Sequence, residues 1–293
     1  MTQEASGDGA QPKPLLRTLD ERYYEVCDDG YDTIHIDTLH GSLDFCGIKH
    51  DNDPESETTA RVKRELGAFV AKDSERPKVV VIEGWRDRGP IDDTEDDIVR
   101  QRGEAGLAER MAQEAGTEVA SVEPELHELF ATLCETHAPD EVFYWLVAQQ
   151  ASQWGREDVV SGDSEAQADR HRRVTDTHLV EFVERLEGSL GHVPSFNEIS
   201  HSFEILSDTH KRLFGGELDW NNTEHFDAVA NPVETGSVIN DIMRESVVLR
   251  DRAIVAGLKK YLDKGYDVFA VYGDAHAYTT EPALRAMQTT QAI

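Results

Sequence analysis

Lysine is scarce in this chain, with nine among 293 residues against twenty arginines. Cations number 29 in all and carboxylates 58, a formal charge of −29 at pH 7. Nucleic-acid phosphates and anionic lipid heads repel such a surface unless it gathers its basic residues in one patch. The one basic cluster, Arg170-His171-Arg172-Arg173, is flanked by acids and reads as a solvated helix face. Nucleic acid and membrane surfaces are therefore not expected partners. No stretch approaches the ~20 apolar residues of a membrane span. The polar start MTQEASGDGAQPKP has no signal-peptide core, so the expected compartment is the cytoplasm.

Cysteine is equally sparse. Cys27, Cys46 and Cys134 fall at no metal-ligand or disulfide spacing and read as reduced thiols. No Gly-x-Ser-x-Gly elbow occurs, which disfavours a serine hydrolase.

Apolar residues make up 39% of the chain, an ordinary share that supports a real core. The acids are spread along the whole length, unlike a disordered acidic tail. A distributed acidic coat with little lysine resembles that of halophilic proteins, where high salt screens the self-repulsion. It carries no information about chemistry.

Residues 1–20 are polar and punctuated by Pro and Gly, and read as a flexible arm; 21–293 read as a single α/β domain. Four short runs predict strands: 33–37, 78–83, 118–122 and 267–272. The second contains an unbroken Val-Val-Val-Ile, as suits a parallel strand covered on both faces. Helical periodicity lies between them at 60–71 and 98–115, and a long helix at 238–262 leads to the last strand. The expected fold is a mostly parallel central sheet flanked by helices, with a mainly helical insertion at about 125–235 capping it. Trp145, Trp154 and Trp220 lie in that insertion, where they read as core or as a pocket lining.

Ligands of open parallel sheets bind beyond the carboxyl ends of the strands. There the sequence places Asp37 and His40, then Glu83, then Glu123 before Pro124, then Asp274 and His276. If all four strands run parallel, two histidines and several carboxylates converge on one edge. Arg250 falls within the apolar stripe of Met243, Val247, Ile254 and Leu258, and Glu104 lies one turn before Leu107 and Ala108. A charge on an inward face must be paired or must contact a ligand. Both readings stay open: a structural Arg–Glu pair, or charges lining a pocket.

At these residues the chain resembles the superfamily of erythromycin esterases, Tiki/TraB-type metalloprotease relatives and haem-binding ChaN lipoproteins. Asp37-Thr38-Leu39-His40-Gly41 is similar to the esterases' GExxHG segment, with Ile36-Asp37 replacing its Gly-Glu. Glu83 resembles their strand-closing Glu. Arg250-Asp251 and Gly273-Asp274-Ala275-His276 resemble their Arg-Asp helix and final His; Gly273 replaces a second His, which leans toward Tiki and ChaN. The likeness covers about 30–125 and 236–285.

It implies a hydrolase of ester, lactone or peptide bonds, acting on a small-molecule or peptide substrate. Glu83, Arg250, Asp37 and Glu104 are the catalytic candidates, Glu83 as general base and Arg250 as oxyanion donor. His40, His276, Glu83 and Glu123 are the candidate ligands of a divalent Mn, Co, Zn or Fe ion. A metal-free His/Glu site, a ChaN-type protein binding haem, and a non-catalytic member of the fold are the alternatives. A homo-oligomer is compatible with each.

Overall fold

In the computed structural model the described residues are 15–27, 31–84, 94–161 and 174–288. The Arg170–Arg173 cluster and most of the expected arm lie outside them. Helix α1 (Arg22–Cys27) precedes a hairpin of β1 (Ile34–Asp37) and β2 (Ser42–Ile48), followed by α2 (Glu57–Ala71), β3 (Lys78–Ile82), α3 (Glu95–Glu114) and β4 (Glu118–Ala120). A helical stretch then runs through α4 (Leu126–Leu133), α5 (Pro139–Ser161), a π-helical turn (Val174–His178) and α6 (Leu179–Leu190). It continues through α7 (Pro194–Asn197), α8 (Phe203–Phe214) and α9 (Thr223–Ala230). The long α10 (Val238–Asp263), β5 (Asp267–Gly273) and α11 (Asp274–Arg285) close the fold.

The sheet order is β1-β2-β5-β3-β4, and the last four strands are mutually parallel. The mostly parallel sheet flanked by helices is thus present. One expectation fails in its detail: β1 is antiparallel to β2, pairing Asp37 with Ser42 and Ile34 with Phe45. The cause is the tight reversal at 38–41, where the Thr38 hydroxyl donates to the Gly41 carbonyl and accepts from the Gly41 N–H. Strand β2, Ser-Leu-Asp-Phe-Cys-Gly-Ile, has no counterpart in the sequence reading, because Asp44 and Gly47 interrupt its apolar pattern. Gly47 has a packing cause. A Cβ there would stand 2.5 Å from that of Ala277 on α11 and 3.0 Å from that of Tyr31, so only glycine lets the helix close on the strand.

Alternate residues of the buried strands feed two cores. Val79, Val81, Val268, Ala270 and Tyr272 pack with Ile254 and Leu258 of α10 and Leu284 of α11. Val80, Ile82, Phe269 and Val271 pack with Val62 and Leu66 of α2 and Leu107 and Ala108 of α3. The Ser56 hydroxyl caps α2 by accepting the Thr59 N–H, and Ser237 caps α10 through the Asn240 N–H.

The helical stretch carries its own core, in which Trp145, Trp154 and Trp220 are buried with Phe143, Phe196 and Phe226. Residues 15–20 have no regular structure but are held down. The Arg17 N–H donates to the Thr279 carbonyl at 2.8 Å, and Leu19 is buried. No helix among the described residues is long and apolar enough to cross a membrane.

Candidate functional site

The carboxyl ends of β2, β3 and β5 lie side by side, with Ile48 opposite Gly273 and Ile82 opposite Val271. Beyond them stand His50 after β2, Glu83 after β3, and His276 in the first turn of α11. Helix α10 supplies Arg250 and Asp251. Glu123 comes from the segment after β4, and Glu104 from α3.

Glu83 is the hub. Its Oε1 accepts from Arg250 Nη2 at 2.8 Å, and its Oε2 accepts from the Gly273 N–H at 2.6 Å. His50 Nε2 stands 3.2 Å from Oε2 and His276 Nε2 stands 3.6 Å from Oε1. Burial raises the carboxyl's pKa, but the charge of His50 and the polar contacts of both imidazoles outweigh it and hold the group well below the ordinary range. Glu83 is an anion at neutral pH.

Arg250 spans two carboxylates, its Nε donating to Glu123 Oε2 at 2.5 Å while Nη2 takes Glu83. Burial disfavours the guanidinium charge, yet the two acids more than compensate and raise its pKa. Glu123 is 3% exposed and also accepts the Gly84 N–H at 2.9 Å. No described residue takes Nη1 of Arg250. Of the two readings open for Arg250, the structure shows the pairing, with Glu83 and Glu123 as the acids.

His276 is buried, and its Nδ1 pairs with Asp251 Oδ1 at 2.6 Å. Burial and Arg250 lower its pKa, Asp251 and Glu83 raise it, and the balance stands at about 9. Because Arg250 and Asp251 are neighbours on a helix, their side chains diverge by ~100°. One reaches the strand ends and the other reaches α11.

His50 is held by its loop. The Thr59 hydroxyl donates to the Asp53 carbonyl, and the Asp51 N–H donates to Glu104 Oε1 at 2.7 Å. Glu104 reaches the loop because α3 kinks at Gly103, whose φ is +60. That conformation favours glycine, and a Cβ there would also meet Asn52 Oδ1 at 3.3 Å. The His50 ring is 57% exposed. Burial opposes its charge, but Glu83 and Glu104 prevail and push its pKa up to about 10. Beneath the cluster the Tyr272 ring is buried on β5. Burial and the two nearby carboxylates push its pKa well above the ordinary value, so it stays a neutral phenol.

Of the residues singled out in the sequence, Glu83, Glu104, Glu123, Arg250 and His276 come together. Asp37 and His40 do not. Since β1 runs antiparallel, its carboxyl end lies with Ser42 and Asp267 at the amino ends of the parallel strands, the opposite edge of the sheet. The imidazole expected from His40 is supplied by His50. Phe45-Cys46-Gly47-Ile48, ending two residues before it, was the available signal. Asp251, adjacent to Arg250, is the other group that sequence reasoning left out of the site.

The donor set allows a test of the metal expectation. Two imidazoles face Glu83, but its oxygens are occupied by a guanidinium and a backbone N–H, as are those of Glu123. Among the described residues no group of three or more His, Cys, Asp or Glu is placed to hold a metal ion. As arranged, these residues do not fit a metal. For an axial-ligand role toward haem, His276 would have to give up its pairing with Asp251 or turn its Nε2 away from Glu83. Compared with protein-family models, curated proteins and solved structures, the chain matches none.

Proposed function

We propose that the crevice hydrolyses a carboxylic ester, lactone or peptide bond, with Glu83 as general base, His50 as general acid and Arg250 as oxyanion donor. One observation carries the reading. A carboxylate and an exposed imidazole stand 3.2 Å apart beyond the strand ends, and the carboxylate is held by an arginine at 2.8 Å.

The directions of the two pKa shifts make Glu83 an anion and His50 a cation at pH 7, so each begins in the protonation state its role needs. Water attacks the carbonyl carbon and gives a proton to Glu83. The oxyanion meets the Arg250 guanidinium, a charge-assisted contact worth ~3 kcal/mol in comparable sites. The tetrahedral intermediate collapses as His50 protonates the leaving oxygen or nitrogen. The proton on Glu83 then returns to His50, which restores the ion pair. Asp251 fixes the His276 ring, whose Nε2 faces the same carboxylate and adds positive charge behind it.

The test is a panel of nitrophenyl esters, γ- and δ-lactones and peptide nitroanilides, assayed on the full chain with and without divalent cations. Turnover by the wild type, abolished in Glu83→Gln and His50→Ala while their melting stays cooperative, is the expected result. A wild type inert on every member overturns the reading, as does stoichiometric uptake of added haem with its absorption band near ~400 nm. Turnover that appears only with added zinc or manganese replaces the metal-free mechanism by a metal-dependent one.

A further inference from the structure

The His50–Glu83 contact poses a steric problem for the reaction proposed above. A water bridging two polar atoms sits ~2.8 Å from each, so the pair must open to roughly 4.5–5.5 Å before one can enter. At 3.2 Å the space between base and acid is closed. Either the acid or the base has to move.

Glu83 is anchored by Arg250 at 2.8 Å and by the Gly273 N–H at 2.6 Å, whereas His50 is the exposed partner. The ring has a wall on one side: a Cβ at Gly273 would stand 2.8 Å from His50 Nε2. On the side opposite Glu83 lies Glu104, whose side chain is 1% exposed. Its Oε1 is committed to the Asp51 N–H, while Oε2 is buried with no hydrogen-bond partner among the described residues and stands 3.7 Å from His50 Nδ1. That is beyond a hydrogen bond. A buried carboxylate oxygen without a hydrogen bond is costly even with a cation 3.7 Å away, and the nearby imidazole N–H is the donor that would satisfy it.

We propose that His50 shuttles between two carboxylates, paired with Glu83 in the closed crevice and with Glu104 when water and a substrate carbonyl enter. The two ring nitrogens face opposite acids, so shortening one contact lengthens the other. A slide of about 0.8 Å carries Nδ1 from 3.7 Å to the usual ~2.9 Å from Glu104 and begins to open the gap at Glu83. Rotation about the exposed ring's χ angles completes the opening. Glu104 is thus a positioning residue. It touches no reacting atom, but it holds the acid in its open position and replaces the partner that His50 gives up. The closed form keeps water out of an unoccupied crevice, and occupation is coupled to opening.

This inference rests on the hydrolase reading for its purpose, but its test needs no substrate. In a crystal structure of Glu83→Gln, in which the neutral amide no longer attracts the imidazolium, His50 Nδ1 is expected within about 3.0 Å of Glu104. The gap between His50 and the new amide should widen past about 4 Å, beyond hydrogen-bond reach. A ring that stays against that amide, or that swings into solvent and leaves Glu104 Oε2 unpaired, overturns the shuttle.

In solution, a His50 Nδ1 proton resonance in Glu83→Gln should exchange slowly with solvent and be lost on adding Glu104→Gln, which keeps an acceptor for the Asp51 N–H. Fast exchange in both proteins overturns the proposal. On any ester the wild type turns over, Glu104→Gln should lower kcat by roughly 10²-fold with KM little changed. An equal fall through KM alone counts against a positioning role. If the ring moves as expected but no substrate is hydrolysed, the shuttle stands and the hydrolase reading falls.

Discussion

Asp251 accepts a hydrogen bond from Nδ1 of His276 at 2.6 Å, with neither side chain more than 5% exposed. The contact fixes which ring nitrogen faces Glu83. Removing one partner of a buried charged pair costs about 3–5 kcal/mol, so Asp251→Asn should show that loss in urea unfolding. The pH dependence has a defined sign. His276 is raised from its ordinary 6.5 to about 9, so its contribution to stability is full below pH 6.5 and disappears as pH rises through 9. Asp251→Asn should flatten that slope.

Arg250 joins Glu83 to Glu123 through different nitrogens, Nη2 and Nε. A lysine ammonium is a point charge and cannot reproduce the fork. Arg250→Lys and Arg250→Gln should both lose about 3–5 kcal/mol in denaturant titrations and abolish ester turnover. A lysine variant as stable as the wild type would refute the two-carboxylate account.

His40 and Asp37 provide the internal control. Both lie at the far edge of the sheet, and both are exposed. His40→Ala and Asp37→Asn should leave hydrolysis unchanged and stability within about 0.5 kcal/mol. Loss of turnover in either would mean that the chemistry lies at the other edge.

Gly273 adopts φ −53, a conformation open to alanine, so Gly273→Ala tests space and not backbone strain. The added methyl would stand 2.8 Å from His50 Nε2 and 3.4 Å from Glu83 Oε2. The expected result is a His50 ring displaced from Glu83 in the crystal and turnover reduced roughly 10²-fold, with the fold retained.

The helical stretch between β4 and α10 has a pH dependence of its own. Tyr144 Oη lies 2.8 Å from His210 Nδ1 and 3.1 Å from His225 Nε2. Burial depresses both imidazoles, His225 to about 4. The unfolded chain takes up these protons first as pH falls below ~6.5. The helical stretch therefore holds this stability above pH 6.5 and loses it between there and about 4. His225→Gln should weaken that acid dependence in melts followed by tryptophan fluorescence.

The Val-Val-Val-Ile run, the amphipathic stripes of α2 and α10 and the helical middle were legible because a regular period reports a buried face wherever the partner lies. So were Glu83, Glu104, Glu123, Arg250 and His276, charges standing at strand ends or on inward faces. The direction of β1 was not legible. Its alternation of buried Ile34 and Ile36 with exposed His35 and Asp37 marks a strand with one face open, which fixes no direction, and only the reversal at Thr38–Gly41 and the pairing with β2 set it.

The sequence by itself determined an α/β chain with an acidic surface and a small set of inward-facing charges. The tertiary structure decided which histidine meets them. His50 takes the place expected of His40 because strand direction, a property of pairing and not of the strand's own residues, assigns each side chain to one edge of the sheet. The same pairing brings Arg250 to Glu83 from 167 residues away and sets His276 Nε2 3.6 Å from the same carboxylate.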